Sequence, residues 1–557
     1  MKKIFLILSV FSLCIINLFS QEVLKSIEEE YFDFLSLQGI VERPSLGYRT
    51  LSDSVWEYIE DEEESSKNIW KNYNFGTWYS LWEPEQETDN FFTKGLQHGI
   101  FLKVYGPELF NSFNTTAPHG QNDGALWQGR GYNMSFSSGL RFEGYGFELT
   151  FKPNLSWSQN LDFDYLPGVY GDKHSYNWGG NIDLVQRYGD NPFWNFDLGD
   201  SEIRWTWHSL TFGYGYQNPW LGPAMLNPML GSNNAPGYLK FDAGLRKTNV
   251  VIPGIDLDLG YIEGRIWNGK LEESDYFDKN PDNNYRMINA ISGFYSPSFI
   301  PGFTLGLNRI FLTNWAPHNF KYLLRLFTLS RSNGSQVGTG EDEDQKFSIT
   351  TEWTYPQVGF TVYGEFGRDD FSASEQCYPF HTAIYTLGFK KEIPLKNNFQ
   401  SELIIEFNNF EMSQDFQLQW PYMGFYAHGL IMQGYTNKGQ ILGAGSGYFG
   451  NSQYIQYKVY YSNGLFAFNF HRHSPNINSI FSMAVYETAD PNISELNEKW
   501  YQNFETNYDF VIDFLYILKN SIMINQEVVF TYTAKTMYNP DAIRFNGYYS
   551  LSLKWTI

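Results

Sequence analysis

Two glycine- and asparagine-rich stretches carry the residues best suited to chemistry in this chain. One spans residues 111–133 (NSFNTTAPHGQNDGALWQGRGYN), the other residues 214–237 (YGYQNPWLGPAMLNPMLGSNNAPG). Sugars are held by planar amides, hydroxyl or carboxylate partners and flat aromatic faces. Asn122, Asp123, Trp127, Gln128 and Arg130 offer these within nine positions, and Trp220, Asn233 and Asn234 offer a second set. The same composition suits loops that fold into a lumen as a plug, with Gly and Pro setting turns and Asn satisfying loop backbone. The two roles are compatible, since a plug wall can also bind. Lys321, Arg325 and Arg331 form the best basic cluster, suited to an anionic polymer or to a channel lining.

Catalytic chemistry finds less support. Nothing resembles a nucleophile elbow, and no Ser–His–acid arrangement stands out. His471 and His473 share one strand face, as two metal ligands would. The carboxylates near them in sequence are not spaced to complete a site, so a pH-sensitive polar pair is expected. Gly445, Gly447 and Gly450 match a dinucleotide fingerprint by letters, without the βαβ context it needs. The acidic run at 341–344 is expected to be a solvated loop tip. No enzyme activity, metal or cofactor is therefore expected.

The elements that must position these residues are strands. The last ten residues, YYSLSLKWTI, alternate an apolar row (Tyr549, Leu551, Leu553, Trp555, Ile557) with a polar one (Tyr548, Ser550, Ser552, Lys554, Thr556). Such alternation puts one oily and one wet face on a β-strand. It recurs over residues 132–143, 147–157 and 454–471, the last with a turn at Asn463-Gly464. Similar strands fit near 98–106, 202–216, 237–246, 255–266, 284–296, 303–315, 346–366, 382–390, 399–410, 505–518 and 521–532. Long polar loops between them include 107–130, 217–236 and 472–498. The chain of 557 residues is 19% aromatic, yet its mean hydropathy is only −0.39. Aromatic girdles beside a wet lumen explain that combination.

No later stretch is long and apolar enough for a membrane-crossing helix. The fold class expected is an all-β transmembrane barrel of about 18 antiparallel strands, closing between the terminal strand and one near Gly76. Lys2 and Lys3 ahead of an apolar run read as a secretory signal over residues 1–20. Residues 21–74 read as a small periplasmic helical segment, with helices near 22–38 and 53–60, and residues 75–557 as the barrel. Cys377 is then left without an intrachain partner, consistent with an exported protein lacking a disulfide framework. The net charge of −22 excludes a generic nucleic-acid binder.

The stretch Asn122-Asp123-Gly124-Ala125-Leu126-Trp127-Gln128-Gly129-Arg130-Gly131 resembles the capsule-assembly Wzi family of outer-membrane proteins. So does the pattern Trp220, Gly222-Pro223 and Asn234-Ala235-Pro236. The order of parts (signal, short helical segment, barrel to the C-terminus) is similar as well. The resemblance covers essentially the whole mature chain. It implies an 18-stranded barrel with a periplasmic helical bundle, and a lectin that holds capsular polysaccharide at the cell surface. The partners expected are outer-membrane lipid, cell-surface polysaccharide, and barrel-insertion machinery that reads the C-terminal strand, with the chain a monomer. A porin-like channel or uptake barrel for small solutes or oligosaccharides is the alternative.

Overall fold

The alternating residues do form strands, and the strands close. The computed structural model describes residues 15–16, 26–60, 62–63, 65–85, 90–166, 168, 172–176, 182–278, 280–316, 323, 326–327, 343–369, 382–411, 424–447, 450–475 and 504–557. The signal-like residues 1–20, apart from 15–16, lie outside these, as does the basic cluster Lys321, Arg325 and Arg331.

Eighteen antiparallel strands form one closed sheet. The first half runs β1 (Ile100–Asn114), β2 (Gly131–Gly144), β3 (Phe147–Phe151 continued by Asn154–Ser158), β4 (Phe193–Asp197 continued by Glu202–Trp207), β5 (Leu210–Gly215), β6 (Lys240–Ile252), β7 (Leu257–Glu272), β8 (Tyr285–Pro297) and β9 (Phe303–Asn314). The second half runs β10 (Glu343–Tyr355), β11 (Phe360–Asp369), β12 (Ala383–Pro394), β13 (Gln400–Asn409), β14 (Asn451–Tyr461), β15 (Gly464–Ser474), β16 (Thr506–Leu518), β17 (Ile522–Ala534) and β18 (Ile543–Trp555). Each strand pairs with the next. β18 pairs with β1 from Tyr548↔Asn114 to Lys554↔Glu108, which removes both edges. On β18 the apolar row faces out and the polar row faces in: Trp555 is 52% exposed and its neighbour Lys554 only 5%. No helix among the described residues is long and apolar enough to cross a membrane.

Several boundaries differ from the sequence reading. β1 continues to Asn114, where the sequence suggested a loop from residue 107. Its pairing with β2 slips between Tyr105 and Glu108, at Pro107, a residue that has no N–H to lose from the ladder. The slip also inverts the alternation, so the strand reads as finished. The stretch 202–216 is a hairpin, because His208 turns the chain at φ +54° without any Gly or Pro to announce it. The stretch 346–366 is likewise two strands, split by a short 3-10 turn, Pro356–Val358, that ends on Gly359 at φ +56°. The closing partner of β18 is residues 108–114. Residues Trp78–Trp82 lie end-on to β18 along the other part of β1, with Thr77 N donating to Ile557 O at 3.1 Å. Glu343 and Asp344, expected at a loop tip, are buried on β10, and Asp344 sits 2.9 Å from Lys346.

Short turns join β2–β3, β4–β5 and every second pair onward to β16–β17, all at one end of the barrel. The long connections stand at the other end. This asymmetry is the expected one for outer-membrane barrels.

The N-terminal segment is a plug inside the short-turn mouth, not a separate helical unit. Helix α1 (Ile27–Leu37) begins at Ser26, whose side chain accepts from Glu29 N at 3.1 Å. Its acidic side chains meet lumen-facing lysines of the wall: Glu28 with Lys554, Glu30 with Lys458 at 2.6 Å, and Asp33 with Lys390. The helix expected at 53–60 does not form. Asp53 instead binds Arg265 at 2.8 Å and Arg246 at 3.0 Å, and Glu57–Tyr58 pairs with Val41–Glu42. These wall contacts outweigh a local helical preference worth only tenths of a kilocalorie per residue.

Apolar packing does most of the holding. Tyr31, Phe34, Trp56, Trp70 and Phe75 cluster with the inward Tyr460, Leu465, Leu515 and Met523. Each such side chain contributes about 1.5–3 kcal/mol, whereas a buried ion pair roughly breaks even against its desolvation.

Burial pushes the Glu29 carboxyl up to about 7, and the hydrogen bond from Trp56 Nε1 at 2.8 Å offsets this only in part. An acid whose folded value is raised favours the fold while protonated. This contribution is therefore present at low pH and lost as pH rises toward and past 7. We expect protease resistance of the plug to fall between pH 5 and pH 8 in the native protein. Glu29→Gln is expected to flatten that profile, and an unchanged profile would remove Glu29 as its source.

Candidate functional site

The loop between β5 and β6 (216–239) descends from the long-loop end and meets the N-terminal plug inside the barrel. Trp220 and Leu221 pair antiparallel with Arg49 and Tyr48. Two wall carboxylates grip the loop backbone. Glu406 on β13 accepts from Met225 N (2.6 Å), Leu226 N (3.2 Å) and Asn227 N (2.8 Å), and also from Tyr363 OH (2.8 Å). Glu365 on β11 accepts from Ala224 N (3.2 Å) and Met229 N (3.0 Å). Gly222 lies at φ +87°, where any Cβ would strike the Glu365 carboxylate. That close approach is why the motif needs glycine there.

Residues 424–447 cover this loop from the long-loop side. Ser232 N donates to Leu442 O at 3.0 Å and Asn437 Nδ2 to Pro236 O at 3.0 Å. Leu221, Met229, Leu230, Tyr238 and Trp267 pack with Phe425, Tyr426 and Leu442 into a second apolar cluster. The two plugs thus bridge the lumen beneath β6–β13.

The lumen beside β14–β18 and β1 stays hollow. A cavity of about 640 Å³ is walled by Tyr454 and Gln456 of β14, Asn469, His471 and His473 of β15, and Asn507, Asp509 and Asp513 of β16. Asn525, Glu527 and Thr531 of β17 and Asn546, Tyr548 and Ser550 of β18 complete the wall. Every one of these is on the polar, inward row of its strand. Glu30 of α1 lines the cavity as well, and the loop between β1 and β2 lids it with residues 117–123 and 126–128.

The structure brings the two sequence motifs together at this lid. Asn122 Nδ2 donates to Leu226 O at 3.2 Å, and Gly124 N to Asn233 O at 2.7 Å. Asn122, Asp123, Trp127, Gln128 and Asn234 line the cavity. Trp127 packs edge-on against Tyr188 at 5.1 Å, and its indole N–H has no hydrogen-bond partner among the described residues. Asn233 faces a second cavity of about 280 Å³, and Asn122 to Leu126 form the partition between the two.

Two residues singled out from sequence do other work. Arg130 is tied to loop carbonyls, Thr115 O at 3.1 Å and Asp162 O, and lines neither cavity. Trp220 is buried to 2%, donates to Ala224 O at 2.9 Å and stacks with Arg49. It is a plug-core residue.

Among the described residues, the large cavity carries carboxylates at Glu30, Asp123, Glu505, Asp509, Asp513 and Glu527 against one strong base, Arg544. Asp513 and Glu527 stand directly opposite each other on paired strands. Like charges so placed repel, which leaves the wall set for neutral or positively charged groups. Burial holds the imidazole of His119, in the lid, below its ordinary value, while Asp509 acts in the opposite sense.

Sequence reasoning overlooked most of this wall. The signal was present as the polar row of each terminal strand, but the row does not say which strands share a hollow. The histidine pair also gains the acid it lacked. Asp509 lies opposite His471 in the β15–β16 ladder, a neighbour that closeness in sequence could not supply.

No family model and no curated protein matches this chain. Among solved structures, the chain is similar to Wzi of Escherichia coli, an outer-membrane protein involved in group 1 capsule assembly and described as a carbohydrate-binding β-barrel. Identity is 11%, covering 97% of this chain and 100% of that one, with a TM-score of 0.56. OccAB4 of Acinetobacter baumannii aligns at 10% identity over 83% of this chain and 98% of its own, with a TM-score of 0.37. OprD of Pseudomonas aeruginosa aligns at 8% identity over 86% and 96%, with a TM-score of 0.38. At these identities the likeness concerns the fold alone: the chain has the architecture of an 18-stranded outer-membrane β-barrel.

Proposed function

We propose that this protein is an outer-membrane barrel that binds cell-surface carbohydrate in the 640 Å³ cavity, in the manner of a lectin and without turnover. One observation carries the reading. The lumen is bridged by two interlocking plugs, and beside them lies a cavity lined by amides, carboxylates, hydroxyls and aromatic rings. Those groups suit a polyhydroxylated ligand, and a bridged lumen suits retention better than flux. The barrel sits as a monomer in outer-membrane lipid, with its long loops facing outward.

The charge of the cavity narrows the ligand. Glu30 is paired with Lys458 and Glu505 lies beside Arg544, yet Asp509, Asp513 and Glu527 leave the wall acidic, so a neutral or amine-bearing polysaccharide is a better match than a strongly anionic one. Polysaccharides extracted from the source cell, offered in neutral, amine-bearing and acidic fractions, test this directly. Binding by the first two is expected, and Trp127→Ala is expected to weaken it about tenfold through loss of one aromatic face. Exclusive binding of the acidic fraction would overturn the charge argument. Absence of affinity for any fraction, together with large stable conductance in planar bilayers, would replace the lectin by a channel.

A further inference from the structure

His471 and His473 stand two residues apart on β15 and both face the large cavity. Their rings stack at 4.9 Å between centroids, 23° from parallel. Asp509, on the adjacent strand, aims Oδ2 between them, 3.9 Å from His471 Nδ1 and 3.8 Å from His473 Nδ1. One nitrogen of each ring and one oxygen of Asp509 all lie within 4.8 Å of one another. These separations are too long for hydrogen bonds. They are close to those of ligands around one small ion: donors bonded at about 2.0–2.2 Å in tetrahedral geometry sit about 3.4 Å apart. The Asp509 separations exceed this by about half an ångström, and bringing both ring nitrogens onto one ion takes rotation of the two stacked imidazoles as well.

The surroundings are already arranged for ligation. Thr531 Oγ1 donates to Asp509 Oδ1 at 2.6 Å, which anchors that oxygen and leaves Oδ2 toward the rings. His473 Nδ1 is buried and has no hydrogen-bond partner among the described residues, while Nε2 lies 3.2 Å from Asn507 Nδ2. Asn507 is held in turn by Thr533 Oγ1 at 2.7 Å. An amide can present either its N–H or its oxygen, and a hydroxyl can donate or accept. With the Asn507 amide turned over, so that its oxygen accepts from Nε2 and its N–H2 donates to Thr533 Oγ1, the imidazole carries its proton on Nε2 and offers Nδ1 to a metal.

We propose that His471 Nδ1, His473 Nδ1 and Asp509 Oδ2 form a binding site for a zinc-class divalent transition ion on the cavity wall. Two imidazoles and one carboxylate match the donor preference of such ions and not that of Ca²⁺ or Mg²⁺, which take all-oxygen sets. The remaining coordination position faces the cavity, open to water or to a ligand hydroxyl. The ion would add positive charge to a wall rich in carboxylates. This site stands apart from the carbohydrate reading, because it needs no sugar to form.

The test uses untagged full-length protein, folded in detergent, titrated with Zn²⁺ by calorimetry and checked by anomalous scattering at the zinc edge. About one ion per chain is expected, with the anomalous peak between the two rings and Asp509. His471→Ala and the near-isosteric Asp509→Asn are each expected to weaken binding at least about tenfold. Heat-modifiable gel mobility reports whether each variant is folded. Ca²⁺ at millimolar concentration is expected not to compete. Absence of Zn²⁺ binding by folded wild-type protein, an anomalous peak elsewhere, or equal affinity in folded Asp509→Asn would overturn the proposal. Because no carbohydrate is present in the assay, its outcome is independent of whether the cavity binds sugar.

Discussion

An Asp33→Ala variant is expected to unseat the N-terminal plug. Asp33 is buried between two cations, 2.5 Å from Arg43 and in contact with Lys390. Burial alone would raise its carboxyl, but the Arg43 and Lys390 charges together hold it well below the usual carboxylate range. Removing the acid takes from Lys390 its ion-pair partner inside the barrel mouth and leaves Arg43 with Glu352 alone, at 2.6 Å. Breaking a buried pair in this way costs about 3–5 kcal/mol, the same order as burying two of the plug's aromatic side chains. The change should appear as rapid protease cleavage within residues 26–75 and as conductance bursts in planar bilayers that the native protein lacks. Protease resistance equal to the native protein would show that the apolar cluster around Trp70 holds the plug unaided. Asp33 also has a pH signature opposite to that of Glu29. Its contribution is present above the ordinary carboxylate range and is lost as pH falls through and below it, whereas that of Glu29 is lost as pH rises toward 7.

Glu406→Ala is expected to have the second large effect, at the other plug. That carboxylate takes three successive backbone N–H groups of the loop between β5 and β6, and the hydroxyl of Tyr363. Hydrogen bonds to a charged acceptor are worth about 1.5–3 kcal/mol each, and buried N–H groups left without a partner add a further penalty. The loop loses one of its two grips, while Glu365 still holds Ala224 and Met229. Amide hydrogen exchange at residues 225–227 is expected to accelerate at least about a hundredfold, with the barrel strands unaffected. Carbohydrate binding should fall with it, because Asn122 and Gly124 of the lid rest on Leu226 and Asn233 of this loop. Unchanged exchange at 225–227 would mean that the cover by residues 424–447 carries the loop instead.

The wall of this protein was legible because lipid and lumen impose a strict period of two on every strand. Tyr549, Leu553 and Trp555 face out and Ser550 and Lys554 face in, as their alternation required. The reading failed where local signals were absent or misleading. His208 turns the chain without a turn residue, and Pro107 sits within a strand because a bulge tolerates it. The site was legible in part. The two asparagine-rich motifs do meet, and most of their singled-out residues line a cavity. Trp220 and Arg130 share the same local composition, yet one is core and the other a loop strut.

By itself the sequence determined the sheet: which residues alternate, roughly how many strands they make, and that the last strand must pair to remove an edge. Only the tertiary structure decided what fills the barrel. Plug seating depends on partners far apart in the chain, 357 residues for Asp33 with Lys390 and 180 for Leu226 with Glu406, and no periodicity encodes them. The hollow beside β14–β18, and the meeting of Asp509 with His471 across a ladder, arise the same way. A strand's faces are set by its own residues. Which faces share a space is set by closure of the whole sheet and by what the two plugs leave empty.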